Sequence, residues 1–383
     1  MLEGRRQAIG IAALSLVPLL PALAQPFVRD DLNSIYQAAV TLGDPAHLWD
    51  PWMGGLARLI PKLLLMGLLA VAGPVSWLFR LHGFLWHAAT VYLIARTVGA
   101  AYGRANGLWA AALFAAGFGY YAAAVVQVSN VTMSTALTLL LGSWRLWQLG
   151  RARLALVCFA AACLCHEAAW AAVLFIPFAV SAETARTHRV ALAAVLIAFV
   201  AALAVPGWPR TYASTELEYW FFALFPLNAS LGAFGMLPGS LARVGELAVA
   251  VRPWAGFAIA LGFVALVLRG RGAYVAAVAW MVVLTLAFAA AITFWPEVWP
   301  PHWLDRRYLY GPAVGLCWLV ATWLVGLGAS RRRWAAAALL LWSLLWCELT
   351  IWSAARDAAS PGQVEARARL AQEMAELDAR WAR

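Results

Sequence analysis

Charge is scarce in this sequence. Asp, Glu, Lys and Arg make up 12% of its 383 residues, about half the fraction of an average soluble domain, whereas 64% of the residues are hydrophobic. No water-soluble core needs that much apolar surface, and the chain has no room for a separate soluble domain. Acids are the scarcer sign, 18 against 28 basic residues, which leaves a net charge of +10. The excess does not form one basic stripe with interleaved aromatics, the arrangement a nucleic-acid surface uses. Paired cysteine motifs are missing too. Cys158, Cys163, Cys165, Cys317 and Cys347 all lie within apolar runs, where a thiol behaves as a small hydrophobe, and this argues against a disulfide framework. Cys163, Cys165 and His166 bring soft ligands together, but no second pair completes a zinc set. A heptad array, a long repeat, a Gly-rich phosphate loop and a nucleotide-binding motif are also absent.

What the sequence has in abundance is apolar length. Runs near the roughly 20 residues that cross a hydrocarbon slab recur at 8–24, 77–98, 107–126, 131–149, 152–165, 167–181, 190–206, 254–268, 273–294, 309–328 and 334–352. They predict an all-α fold, a polytopic transmembrane helix bundle of about 10–11 spans over residues 1–352. The pair flanking His166 is short enough to form one bent hairpin. Arg5 and Arg6 precede the first run and Ala22-Leu23-Ala24 closes it, a pattern shared by a membrane anchor and a cleavable signal peptide; the many later spans favour the anchor. The 22 Trp residues often flank apolar runs, as interfacial aromatics do.

With the N-terminus inside, Arg5/Arg6, Arg96/Arg104, Arg145/Arg151/Arg153, Arg186/Arg189, Arg269/Arg271 and Arg331–Arg333 all fall on the cytoplasmic side, which is the positive-inside pattern. The opposite side collects most of the acids and three loops. Residues 25–76 form a long first loop carrying amphipathic helices, 207–253 a second large loop, and 295–308 a loop rich in Trp, Pro and Arg. Ser360-Pro361 then supplies an N-cap and first helical position for a tail helix within 353–383, with Leu370, Met374, Leu377 and Trp381 on one face. The expected location is the bacterial inner membrane, with the site facing the periplasm.

Three constellations on the outer side carry chemistry. In Arg29-Asp30-Asp31, adjacent carboxylates supply a general base or a divalent-metal site, with Arg29 keeping one acid ionised; helix capping is the plainer alternative. In Asp305-Arg306-Arg307-Tyr308-Leu309-Tyr310, planar guanidinium groups suit a phosphate, and Tyr308 and Tyr310 add hydroxyls; an interfacial aromatic anchor with an Arg–Asp pair is the rival. In the third, His166-Glu167 interrupts the apolar stretch 154–180, where ionisable groups face a cavity or a partner, unless His166 is a satisfied structural residue. His82, His87, Gln127, Asn130, Glu216 and Glu218 are weaker candidates.

In this order the elements resemble the GT-C superfamily of membrane glycosyltransferases, above all the branch of protein O-mannosyltransferases and their tetratricopeptide-linked relatives, without the repeat domain. The resemblance rests on Asp30-Asp31, on Leu81-His82-Gly83-Phe84-Leu85-Trp86-His87 leading to Arg96, on Cys165-His166-Glu167 followed by Ile176-Pro177-Phe178, and most specifically on Arg307-Tyr308-Leu309-Tyr310-Gly311-Pro312. It departs from that branch where Gly117–Val126 stand in place of a His-Pro-x-His-x-Glu element and where His166 replaces a Lys. It implies a polyprenyl-phosphate sugar as donor and a hydroxyl of a glycan, lipid or protein as acceptor, with inversion at the sugar carbon. Asp30 or Asp31 would be the base. Arg307, Arg306 and His166 would neutralise the departing phosphate, Tyr308 and Tyr310 would assist, and Arg29 and Glu167 would support them. A divalent metal on Asp30 and Asp31 is compatible but not demanded. The alternative reading is a transporter or flippase of a lipid-linked substrate.

Overall fold

The computed structural model describes residues 2–28, 30–50, 58–118, 123–166, 272–293 and 310–381, together with Ala169 and Ala172. All elements among the described residues are helical. The expected spans 167–181, 190–206 and 254–268, and the expected loops 207–253 and 295–308, lie outside them. The helices are α1 (Leu2–Leu14), α2 (Asp30–Gly43), α3 (Leu59–Ala72), α4 (Ser76–Tyr102), α5 (Arg104–Ala115), the single turn α6 (Ala123–Val126), α7 (Val131–Gln148), α8 (Ala152–Cys163), α9 (Gly272–Thr293), α10 (Tyr310–Gly326), α11 (Ala329–Ala358) and α12 (Pro361–Trp381). Short 3₁₀ segments cover Val17–Ala24, Pro45–Trp49 and Val128–Asn130.

Local chemistry explains where several of these elements stop. The first apolar run changes from α to 3₁₀ geometry after Leu14 because Pro18 and Pro21 remove backbone donors. α5 ends at Ala115, well short of the predicted 107–126. Gly117, at φ +87°, lets Phe118 N–H reach Leu113 O at 3.0 Å while Gly117 N–H reaches Phe114 O at 3.0 Å, and these paired bonds satisfy the helix's last carbonyls. Gly150 does the same for α7. Pro61 sits in the first turn of α3, where a missing N–H leaves nothing unpaired.

The centre of the bundle is α4, which packs against α1, α5 and α7, while α10 joins α5 to α9. Val91, Ile94, Val98, Phe114, Leu141 and Trp318 are buried in the main core. Glycines bring the helices close. A Cβ at Gly107 would fall 2.5 Å from Gly99 N, and one at Gly315 would fall 2.6 Å from Ala277 O. A second, smaller core at one end gathers Phe27, Ile35, Leu65, Phe79, Val131 and Leu370, so α2, α3 and the tail helix α12 close that end together.

The two ends of the bundle differ in charge. At one end Arg104 pairs with Glu3 at 3.1 Å and Gln148 donates to Thr97 O at 3.0 Å. This groups the start of α1 with the α4–α5 and α7–α8 turns, and with them Arg5, Arg6, Arg96, Arg145, Arg151 and Arg153. At the other end Gln25 Nε2 donates to Ile351 O at 3.1 Å, and Ile60 N–H meets Leu164 O at 3.5 Å. Since α11 rises about 1.5 Å per residue, Arg331–Arg333 lie roughly 30 Å from Ile351, back at the arginine-rich end. Among the described residues one helical stretch, Glu3–Ala24, is long and apolar enough to cross a membrane; the apolar helices α3, α8 and α10 are shorter.

Candidate functional site

Helix α2 opens on Asp30, and the side chain of the next residue is fully buried. Asp31 is 0% exposed. Its Oδ1 accepts from Ser129 N–H at 3.2 Å, and its Oδ2 accepts from Val28 N–H at 3.4 Å, reaching back along the chain as a capping-box acid does. Arg80 Nη2 stands 3.6 Å from the same Oδ2. Burial pushes the Asp31 carboxyl up, and Arg80 with the amides of Ser129, Val28 and Val128 opposes that rise. Both oxygens of Asp31 are thus engaged by protein groups. Among the described residues no three His, Cys, Asp or Glu side chains gather as a metal site.

Arg80 is the partner that sequence reasoning missed. It stands in the first turns of α4, is 1% exposed, and donates from Nε to Gln25 O at 3.1 Å, from Nη2 to Pro26 O and from Nη1 to Val126 O. The signal was available: an Arg within the first residues of the apolar run 77–98, at the end away from Arg96, is an expensive group that must find partners. Lys62, the chain's single lysine, works in the same way in the first loop. Its Nζ donates at 3.0 Å to each of the carbonyls of His47, Leu48 and Asp50, capping the end of the Pro45–Trp49 turn as cations do at helix C-termini. Burial lowers its ammonium and Asp50 opposes the fall.

Tyr310, the first residue of α10, is buried, and its hydroxyl shares a 2.8 Å hydrogen bond with His87 Nδ1. Phe114 stacks on the imidazole at 5.7 Å. One turn along α4, the hydroxyls of Thr90 and Thr138 lie 2.7 Å apart, one donating to the other, and the hydroxyl that accepts is placed to donate to Trp86 O. Trp280 Nε1 donates to Gly311 O at 3.1 Å and so fixes the residue that follows Tyr310. His166 is 2% exposed just beyond the end of α8. It lines a cavity of about 20 Å³ with Met133, Ala136, Leu137, Leu140 and Gly311, enough for about one water.

Described residues from three parts of the sequence, Asp31, His166 and Gly311, therefore stand along the first half of α7. Asp31 is bonded to Ser129 just before it, while His166 and Gly311 face Met133–Leu140 farther along. Arg29, Glu167, Arg306, Arg307 and Tyr308 lie outside the described residues, and of Asp30 only the backbone position at the start of α2 is described. Comparison with protein-family models gives no match, and comparison with characterised proteins gives none either.

Proposed function

We propose that this chain is a polytopic membrane glycosyltransferase that moves a sugar from a polyprenyl-phosphate donor to an acceptor hydroxyl at the outer face. The membrane reading is supported by large apolar side chains left exposed around the bundle, among them Leu14 on α1, Val157 on α8 and Trp334 and Leu341 on α11, the last 70% exposed. So many large apolar side chains left uncovered suit a lipid surround. The gathering of arginines at one end agrees with a cytoplasmic side there. Close helix approach at Gly107 and Gly315 fits association in lipid, which relies on small residues.

The catalytic reading rests on one observation, the convergence of Asp31, His166 and the Tyr310-Gly311 start of α10 on the same half of α7. The burial of Asp31 supports a division of roles within the acidic pair. Asp31 holds the first turn of α2, and Asp30 is the general base that takes the acceptor proton. The acceptor oxygen attacks the sugar carbon while the bond to the donor phosphate breaks, with inversion, and Arg307, Arg306 and His166 offset the charge developing on that phosphate. Purified protein in nanodiscs, supplied with a panel of radiolabelled polyprenyl-phosphate sugars, should release sugar from at least one donor, and Asp30→Asn should abolish the release. Net movement of intact donor across the bilayer without cleavage would instead mark a flippase.

A further inference from the structure

Arg80 makes contacts that no single structural task requires. Its guanidinium reaches the backbone carbonyls of Gln25 and Pro26 at the exit of the first helical stretch, Val126 O at the end of α6, and the Asp31 carboxylate. Asp31 in turn holds the Ser129 and Val28 amides. One buried ion pair thus joins residues 25–31, the start of α4 and the turn at 126–129, the three segments that surround the entry into α2. A buried pair of this kind is seldom retained for stability, because well-packed apolar replacements are often as stable or more so. What it fixes is geometry: a planar fork accepts only one arrangement of carbonyls and carboxylate.

We propose that Arg80 is a positioning residue, which through Asp31 sets where the neighbouring Asp30 stands against the acceptor. The inference rests on the glycosyltransferase reading for its catalytic consequence, but not for its structural one. Lysine retains the charge but is a compact point donor that cannot span three carbonyls and a carboxylate. Arg80→Lys should therefore remain folded in nanodiscs, keep its donor KM within about twofold, and lose tenfold or more in kcat, the loss expected of a misplaced base. The paired replacement Asp31→Leu with Arg80→Met, which removes both charges, should recover thermal stability relative to either single variant without recovering kcat.

Hydrogen exchange provides the arm independent of activity. Amides 27–33 should exchange at least tenfold faster in Arg80→Lys, with α10 unchanged. If kcat recovers together with stability in the paired variant, the ion pair is merely structural and the proposal falls. It falls equally if amides 27–33 exchange at the wild-type rate in Arg80→Lys. Wild-type protein that releases sugar from no donor would overturn the transferase reading alone, and the exchange measurement would still decide whether Arg80 positions this segment.

Discussion

Asp31 and Lys62 are both charged, both buried in the first loop and both committed to backbone partners, and these partners set what each substitution does. Asp31→Asn leaves Arg80 buried without a counter-charge, a change that costs about 3–5 kcal/mol, so its melting temperature should fall well below wild type. Asp30→Asn should leave the melting temperature unchanged and lower turnover by about a hundred- to ten-thousandfold. The two assays together separate the acids, and a large stability loss in Asp30→Asn would reverse the assignment. Lys62→Met withdraws the donor from three carbonyls and should destabilise by about 1–3 kcal/mol, read as a lower melting temperature. Arg307→Ala should weaken donor dependence and turnover by about ten- to a hundredfold; Arg307→Lys should fall between, and Arg306→Ala should be milder if Arg306 instead pairs with Asp305, since an exposed ion pair is worth about 0–1 kcal/mol. The sequence picks out the acidic pair and Tyr310 because polar groups stand out against apolar runs. It does not pick out which acid is buried, since the Arg80 and Ser129 partners of Asp31 are 49 and 98 residues away and no local pattern joins them.

At the level of elements, hydropathy locates helices well and their ends poorly. α3 lies within the first loop, where amphipathic helices were expected, and the helices α4, α7, α8 and α9 fall within a few residues of their predicted apolar runs. α5 does not, because the apolar run continues from Leu108 to Val126 although Gly117 turns the chain. Backbone geometry ends that helix, and hydropathy does not register it. Gly315 shows the same limit: an apolar window reads it as neutral, but a Cβ there would meet Met281 N at 2.8 Å. Gly315→Val should separate α9 from α10 and cost about 1–3 kcal/mol, the usual penalty of overpacking, visible as a lower melting temperature with Gly272→Val as an unaffected control. The tail helix α12 was legible from its Leu370 and Met374 face, but not the place it docks. Leu370 is buried in the core of α2 and α3, and Arg367 Nη1 donates to Ala358 O at 2.9 Å. Leu370→Asp should release α12, so that limited proteolysis cuts near Ser360 in the variant and spares the wild type.

At the level of the whole molecule, docking of α12 on α2 ties the tail to residues 30–43 and makes the chain's orientation testable without knowing any substrate. If the bundle spans a membrane with its arginine-rich end inside, residue 40 after the acidic pair and residue 380 at the end of α12 share the outer side, because Arg367 and Leu370 tie them to one core. Residue 150, in the α7–α8 turn beside Arg151, belongs on the opposite side. Residue 300, just before the Arg306-Arg307 element, lies outside the described residues, and the proposed chemistry requires it outside the cell. A reporter active only in the periplasm should therefore be active when inserted near 40, 300 and 380 and silent near 150. Opposite results at 40 and 380 would contradict the docking of the tail. Activity at 150 would contradict the membrane orientation, and silence at 300 alone would separate the arginine element from the acidic pair, removing the shared chamber on which donor and acceptor must meet.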